Sequence, residues 1–229
     1  MQKNFHASHL IEQQHLAAEV LALIVCRLFP NVILMGGGIN SLGFYYDFIF
    51  SQSLTKNMFE LIEVNMYRFA KEEHPVRSIS MMRENAQALF EHHHHFLLAE
   101  RVAEESLNIV DLVQIGEFYG ICPPLTLTHS QEMGHVRLLD SLQFSQDIDG
   151  EEVVVTRLLG ISRESARDLK QFLKKYDFFL RKKDHRILGP KLNFFSFPEQ
   201  MSSLTPISHK ILKKSNDLSC DLHPNFSRF

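Results

Sequence analysis

The stretch Val32-Ile33-Leu34-Met35-Gly36-Gly37-Gly38-Ile39-Asn40-Ser41-Leu42-Gly43-Phe44-Tyr45-Tyr46-Asp47-Phe48-Ile49-Phe50 decides how the chain is read. Val32 to Met35 and Phe44 to Phe50 are apolar and aromatic runs of strand length, and the glycine-rich segment between them predicts a turn. That segment has no Lys-Ser/Thr pair and no following helix, so it is not a phosphate-binding P-loop. Upstream, Leu10, Ile11, Ala17, Ala18, Leu21, Ile24, Val25 and Leu28 recur with a helical period until Pro30, predicting a long, largely buried helix over residues 9 to 29. Downstream, Thr55 is placed to cap a helix running to about Glu73, with Phe59, Ile62, Met66 and Phe69 on one side.

Further along, Val76 to Met81, Ile109 to Ile115, Val136 to Leu142 and Val153 to Leu158 read as strands, and Met82 to Glu91 as a short helix. Ser162 is expected to cap a helix from Arg163 to about Lys183, with Leu169, Phe172, Leu173, Tyr176 and Leu180 on one face and basic residues on the other. After Phe197 the pattern dissolves into Ser, Pro, Lys and Asn, which predicts a mostly disordered tail. The resulting division is a mixed helix and strand domain over 1–160, a basic helical linker over 161–197 and a loose tail over 198–229.

With 229 residues and 45% hydrophobic content the chain can bury a substantial core. No run reaches the roughly 20 apolar residues of a membrane span. The N-terminus lacks the pattern of a secretory leader, so a cytoplasmic location is expected. Cys26, Cys122 and Cys220 are odd in number and contain no C-x-x-C pair, which points away from a disulfide framework or a zinc ribbon. The net charge of -3 hides an asymmetry. From Arg163 to Lys191 ten Lys/Arg face four Asp/Glu, leaving -9 on the remainder.

Four stretches together resemble the second, editing domain of threonyl-tRNA synthetases. His15-Leu16-Ala17-Ala18-Glu19-Val20-Leu21-Ala22 is similar to that family's HSAAHLLA helix. Gly43-Phe44-Tyr45-Tyr46-Asp47-Phe48 is followed at family-like spacing by Leu54-Thr55 and then Pro75-Val76. Gly116-Glu117-Phe118-Tyr119-Gly120-Ile121-Cys122 is similar to GDFVDLC, and Lys183-Asp184-His185-Arg186-Ile187-Leu188-Gly189 with Leu192-Asn193-Phe194-Phe195 is similar to KRDHRKLG and LDLF. The resemblance covers roughly residues 10 to 199 and implies an α+β fold with a largely antiparallel sheet and packed helices. It leaves no room for the synthetase's N-terminal domain or its aminoacylation domain, so ligase activity is not expected.

The resemblance also implies a site. The family's editing cleft hydrolyses wrongly made seryl-tRNA, and ester hydrolysis needs a positioned water, a base or metal to activate it and donors for the oxyanion. His15, Tyr45, Tyr46 and Cys122 match family positions and are the candidate catalytic residues. The family's second histidine is Glu19 here, its lysine falls near Leu97, its aspartate is Gly120 and its last histidine is Thr126. Phe144 to Asp149 replaces another family stretch. These losses favour a degenerate site that binds tRNA or a tRNA-handling protein, with a trans-editing hydrolase and a truncated relic as alternatives. An open, polar cleft between the first helix and the Cys122 strand would speak for the hydrolase, and a cleft plugged by Leu97 and Leu125 against it.

No cofactor is expected. His15 and Glu19, four apart on one helix face, would with Cys122 make an incomplete zinc set, needing His129 or His135 to complete it. The plainer reading is a hydrogen-bonded cleft histidine and a polar glutamate at its mouth. His92-His93-His94-His95 reads as an exposed tract. The partner expected is the threonine-accepting tRNA, through Lys170, Lys174, Arg181, Lys182 and Lys183, or a synthetase or other translation protein; neither a membrane nor DNA is expected.

Overall fold

Leu16, Ala17, Ala18 and Leu21 to Val25 are strong helix formers or bulky apolar residues, and they are 0 to 4% exposed in the computed structural model. They form the middle of helix α1 (Gln2–Leu28), which is buried on every side. The structure describes residues 2–148, 150–183, 195–196 and 203–204. The chain divides into two compact units, residues 1–171 and 172–229.

Within the first unit, α1 lies against a four-stranded sheet in the order β1-β2-β7-β6. Its strands are β1 (Ile33–Ile39), β2 (Phe44–Ile49), β6 (His135–Ile148) and β7 (Glu151–Arg163), every neighbour antiparallel. Phe44, Tyr46 and Phe48 alternate inward from β2 and are buried, while Tyr45, Asp47 and Ile49 face the other way. The three glycines expected to form a turn instead lie inside β1, after a bulge between Leu34 and Gly36. The turn is residues 40–43, where the Asn40 side-chain oxygen accepts from the amides of Leu42 and Gly43 at 2.9 Å each. Gly37 sits in the strand because a β-carbon there would collide with the ring of Tyr46.

A second antiparallel sheet, ordered β3-β4-β5, comprises β3 (Val76–Met82), β4 (Ile109–Ile115) and β5 (Phe118–Ile121). Helix α2 (Lys56–Lys71) is capped by Thr55, whose hydroxyl accepts the Met58 amide, and it buries Ile62, Met66 and Phe69 as its spacing predicts. Helix α3 (Arg83–His92) is followed by α4 (Phe96–Glu104), which the sequence reading missed because no capping side chain and no continuous period mark its start. Leu98, Ala99 and Val102 anchor α4 to the core.

Ser162 does not cap a helix. It belongs to β7, is buried, and donates its hydroxyl proton to the Met133 carbonyl. The next helix, α5 (Ala166–Lys183), is capped by Ser165, which accepts the Asp168 amide at 3.1 Å. Two short paired strands, β8 (Phe195–Ser196) and β9 (Ser203–Leu204), are described in the second unit; the rest of the expected tail and the side chains of Phe194 and Phe195 lie outside the described residues. The α+β class with antiparallel sheets is as expected.

Candidate functional site

A cleft of about 380 Å³ opens between α1, β1, α4 and the segment that follows β5. His15 reaches it from α1, Arg101 from α4, Asp111 from β4 and Cys122 from the end of β5. His15 is half-buried, and that burial holds its imidazole below the ordinary histidine value, so the ring is uncharged at neutral pH. The Arg101 guanidinium extends over β1, where Gly36, at φ 123°, leaves the space its Nη1 occupies. Among the described residues Arg101 has no carboxylate partner, and its contact with the Met35 carbonyl is long at 3.4 Å. Its charge is therefore available to a bound molecule.

One helical turn beyond His15, Glu19 is 3% exposed, and its Oε2 has no hydrogen-bond partner among the described residues. Burial pushes its carboxyl up to about 8 and Arg101 offsets only part of that, so Glu19 keeps its proton at neutral pH. Its carboxyl lies against Gly120, in the volume where a β-carbon would stand. Cys122 is two residues on in the same strand direction and is 2% exposed. Burial pushes its thiol far up, with Glu19, Asp111 and Glu12 adding to the shift, so it is not a thiolate.

His15 and Cys122 thus share the cleft, with Glu19 and Tyr46 beneath it. Tyr46 is 1% exposed, and its phenol is pushed well up by burial and next by Glu19, while Arg101 acts the other way. Tyr45 is not part of this group: it faces the opposite side of the sheet, where its ring carries the Arg157 guanidinium at 4.3 Å. Arg157 makes two 2.7 Å hydrogen bonds to Asp47. Thr126 is held by Glu12, whose Oε2 accepts from both its amide and its hydroxyl at 2.7 Å. Leu97 and Leu125 do not line the cleft.

Among the described residues no three His, Cys, Asp or Glu side chains come together to hold a metal ion. His15, Glu19 and Cys122 are thus not assembled as a ligand set, and no chemistry is assigned to a zinc ion there. The histidine tract is not uniformly exposed. His93 and His95 turn inward and line a separate cavity with Cys26, Arg27, Phe118 and Tyr119, while His92 and His94 face out. Met82 and Phe178 are 58% and 55% exposed.

Lys170 and Lys174 lie exposed on α5, four apart and hence on one face. Arg181, Lys182 and Lys183 continue that helix, but their side chains lie outside the described residues. The sequence reading missed Arg101 and Asp111. Arg101 follows Leu97 by one turn of α4, so a signal existed only for a reader who had found that helix.

No family model matches the chain. It is similar to curated proteins described as threonine–tRNA ligases. The one from Oleidesulfovibrio alaskensis is 28% identical over 190 residues, 83% of this chain and 29% of the relative. That of Helicobacter hepaticus is 29% identical over 198 residues, 85% of this chain and 32% of the relative. That of Clostridioides difficile is 26% identical over 206 residues, 90% of this chain and 32% of the relative. The chain therefore spans about a third of the length of the curated relatives it matches, and the resemblance carried by the four motifs extends over most of it.

Proposed function

We infer that this relative of the threonine–tRNA ligases takes the aminoacylated end of a tRNA into the cleft between α1 and the Cys122 segment and hydrolyses its ester. The single observation that carries the reading is that the cleft is open and holds both an uncharged His15 and an unpaired Arg101 charge. A neutral imidazole can take the proton of an attacking water. A guanidinium can stabilise the oxyanion that forms when water adds to the ester carbonyl; the carbon–oxygen bond to the ribose then breaks, and the ribose oxygen takes a proton. The missing lysine charge at Leu97 is thereby supplied one turn away. Lys170 and Lys174 would add contacts to tRNA phosphates, independent of sequence.

A second reading is a retired site that binds without catalysis. It is favoured by the protonated state of both Glu19 and Cys122, which leaves His15 alone of these three able to accept a proton. Deacylation of seryl-tRNA and threonyl-tRNA for threonine, with the unaltered chain and His15→Ala, decides between them. Serine-selective release lost in His15→Ala supports the hydrolase. No release above the uncatalysed rate, with salt-sensitive tRNA binding, supports the binding module.

A further inference from the structure

A second cavity, of about 300 Å³, lies toward the other end of α1 and shares no lining residue with the cleft. Cys26 and Arg27 border it, about 17 Å along the helix axis from His15. Its other walls come from the turn between α3 and α4 and from the start of β5. That turn has the Schellman pattern: the His94 amide donates to the Glu91 carbonyl at 3.0 Å and the His95 amide to the Phe90 carbonyl at 2.9 Å. Its left-handed position, where glycine is usual, is His94 at φ 61°. The reversal leaves His92 and His94 exposed and carries His93 and His95 to the cavity. There the His93 ring lies 5.4 Å from Tyr119 and the His95 ring 6.5 Å from Phe118.

Among the described residues no three metal-ligating side chains assemble around these imidazoles, so the pair is not a metal centre. Burial, and next the neighbouring His93 and His94, hold His95 below the ordinary histidine value, so its ring is uncharged at neutral pH and offers one donor and one acceptor. Arg27 and Glu117 are the charged residues that line the cavity, both exposed. Among the described residues neither has an ion-pair partner, and they do not pair with each other. The Arg27 guanidinium rests over the Phe69 ring at 5.2 Å. A phosphate-bearing nucleobase answers all of these groups at once. Its flat face stacks on the rings, its phosphate meets the guanidinium, and an exocyclic amine donates to the carboxylate. An apolar ligand would leave both charges unanswered, and an inorganic anion would leave the rings unused.

We propose that this cavity is a second ligand site, for a nucleotide whose base bears an exocyclic amino group, with Arg27 on the phosphate and Glu117 on the amine. The nucleotide is either free or an unpaired unit of an RNA strand. The site is independent of ester hydrolysis in the first cleft.

The test titrates the 5′-monophosphates of adenosine and uridine, and hexa-adenylate and hexa-uridylate RNA, calorimetrically into the full chain. The adenine probes are expected to bind at least about tenfold more tightly than the uracil probes, whose base has no exocyclic amine. Arg27→Met should lower adenine affinity by at least about tenfold, and Glu117→Ala should remove the preference over uracil. Arg101→Met, in the other cleft, should leave both unchanged. A hexa-adenylate that binds more tightly than the monophosphate identifies an RNA strand as the source, and one that binds no more tightly identifies a free nucleotide. Absence of binding by either adenine probe and its longer form alike overturns the proposal, as does equal affinity for adenine and uracil. Loss of binding in Arg101→Met but not in Arg27→Met places the ligand in the first cleft and also overturns it. Should Arg27→Met not fold, Glu117→Ala, at an exposed turn, still decides whether this cavity holds the base.

Discussion

The carboxyl of Glu19 stands where a β-carbon on Gly120 would be, so positions 101 residues apart in the chain behave as one unit. Gly120→Ala is expected to drive Glu19 out of place and to destabilise the chain by about 1–3 kcal/mol, as overpacking does. Glu19→Ala should remove much of that penalty. A double-mutant cycle by urea denaturation measures the coupling; additive effects would show that the two positions are independent.

Stability should fall as pH rises through the range in which Glu19 titrates. Its folded value is raised from 4.5 to about 8, so folding favours the protonated form. The stabilisation is complete below the unfolded value and is lost as pH climbs through the folded one, amounting to on the order of 4 kcal/mol across the whole span. Glu19→Gln has no proton to lose there. Melting temperatures measured from pH 5 to 9 should decline for the unaltered chain and show a flatter course for the variant.

Arg101 is exposed and has no carboxylate partner among the described residues, only a long hydrogen bond to the Met35 carbonyl, so Arg101→Met should shift stability by no more than about 0.5 kcal/mol while weakening ligand binding and ester hydrolysis. Gly36→Ala tests the same contact from the other side. Its positive φ and the guanidinium beside it both oppose a side chain, so this variant should lose stability as well as activity.

Tyr45 and Tyr46 are adjacent in sequence but separated by the sheet. Tyr45→Phe should leave serine release unchanged, because its ring supports Arg157 on the far face. Arg157→Met, which breaks a half-buried two-pronged pair with Asp47, should cost about 1–2 kcal/mol by thermal unfolding without altering selectivity. Loss of activity in Tyr45→Phe would place that face of the sheet in the site.

The sequence made the main elements legible where one period dominated. The buried length of α1, the Thr55 cap and the strand Ile109–Ile115 all follow from local pattern. It misled where a glycine run looked like a turn. The demand for glycine there comes from Tyr46 and Arg101, residues outside the run that no local window contains. The losses at Leu97 and Gly120 looked like stripped charge for the same reason. Only the fold brings Arg101 to the cleft wall and the Glu19 carboxyl against Gly120. His15 and Cys122 were readable through motif resemblance, whereas the placement of Tyr45 required knowing which way β2 faces.

The long β6–β7 ladder joins residues close in sequence and closes through the short turn around Gly150. The cleft joins α1 to the segment beyond β5, as in the Glu12–Thr126 contact spanning 114 positions. Closing that loop loses more chain entropy than forming the hairpin, so the hairpin can assemble early and the cleft only late. Recognition is consequently an attribute of the fully assembled first unit: in native-state hydrogen exchange, an opening that parts α1 from β5 abolishes the cleft while the hairpin amides remain protected.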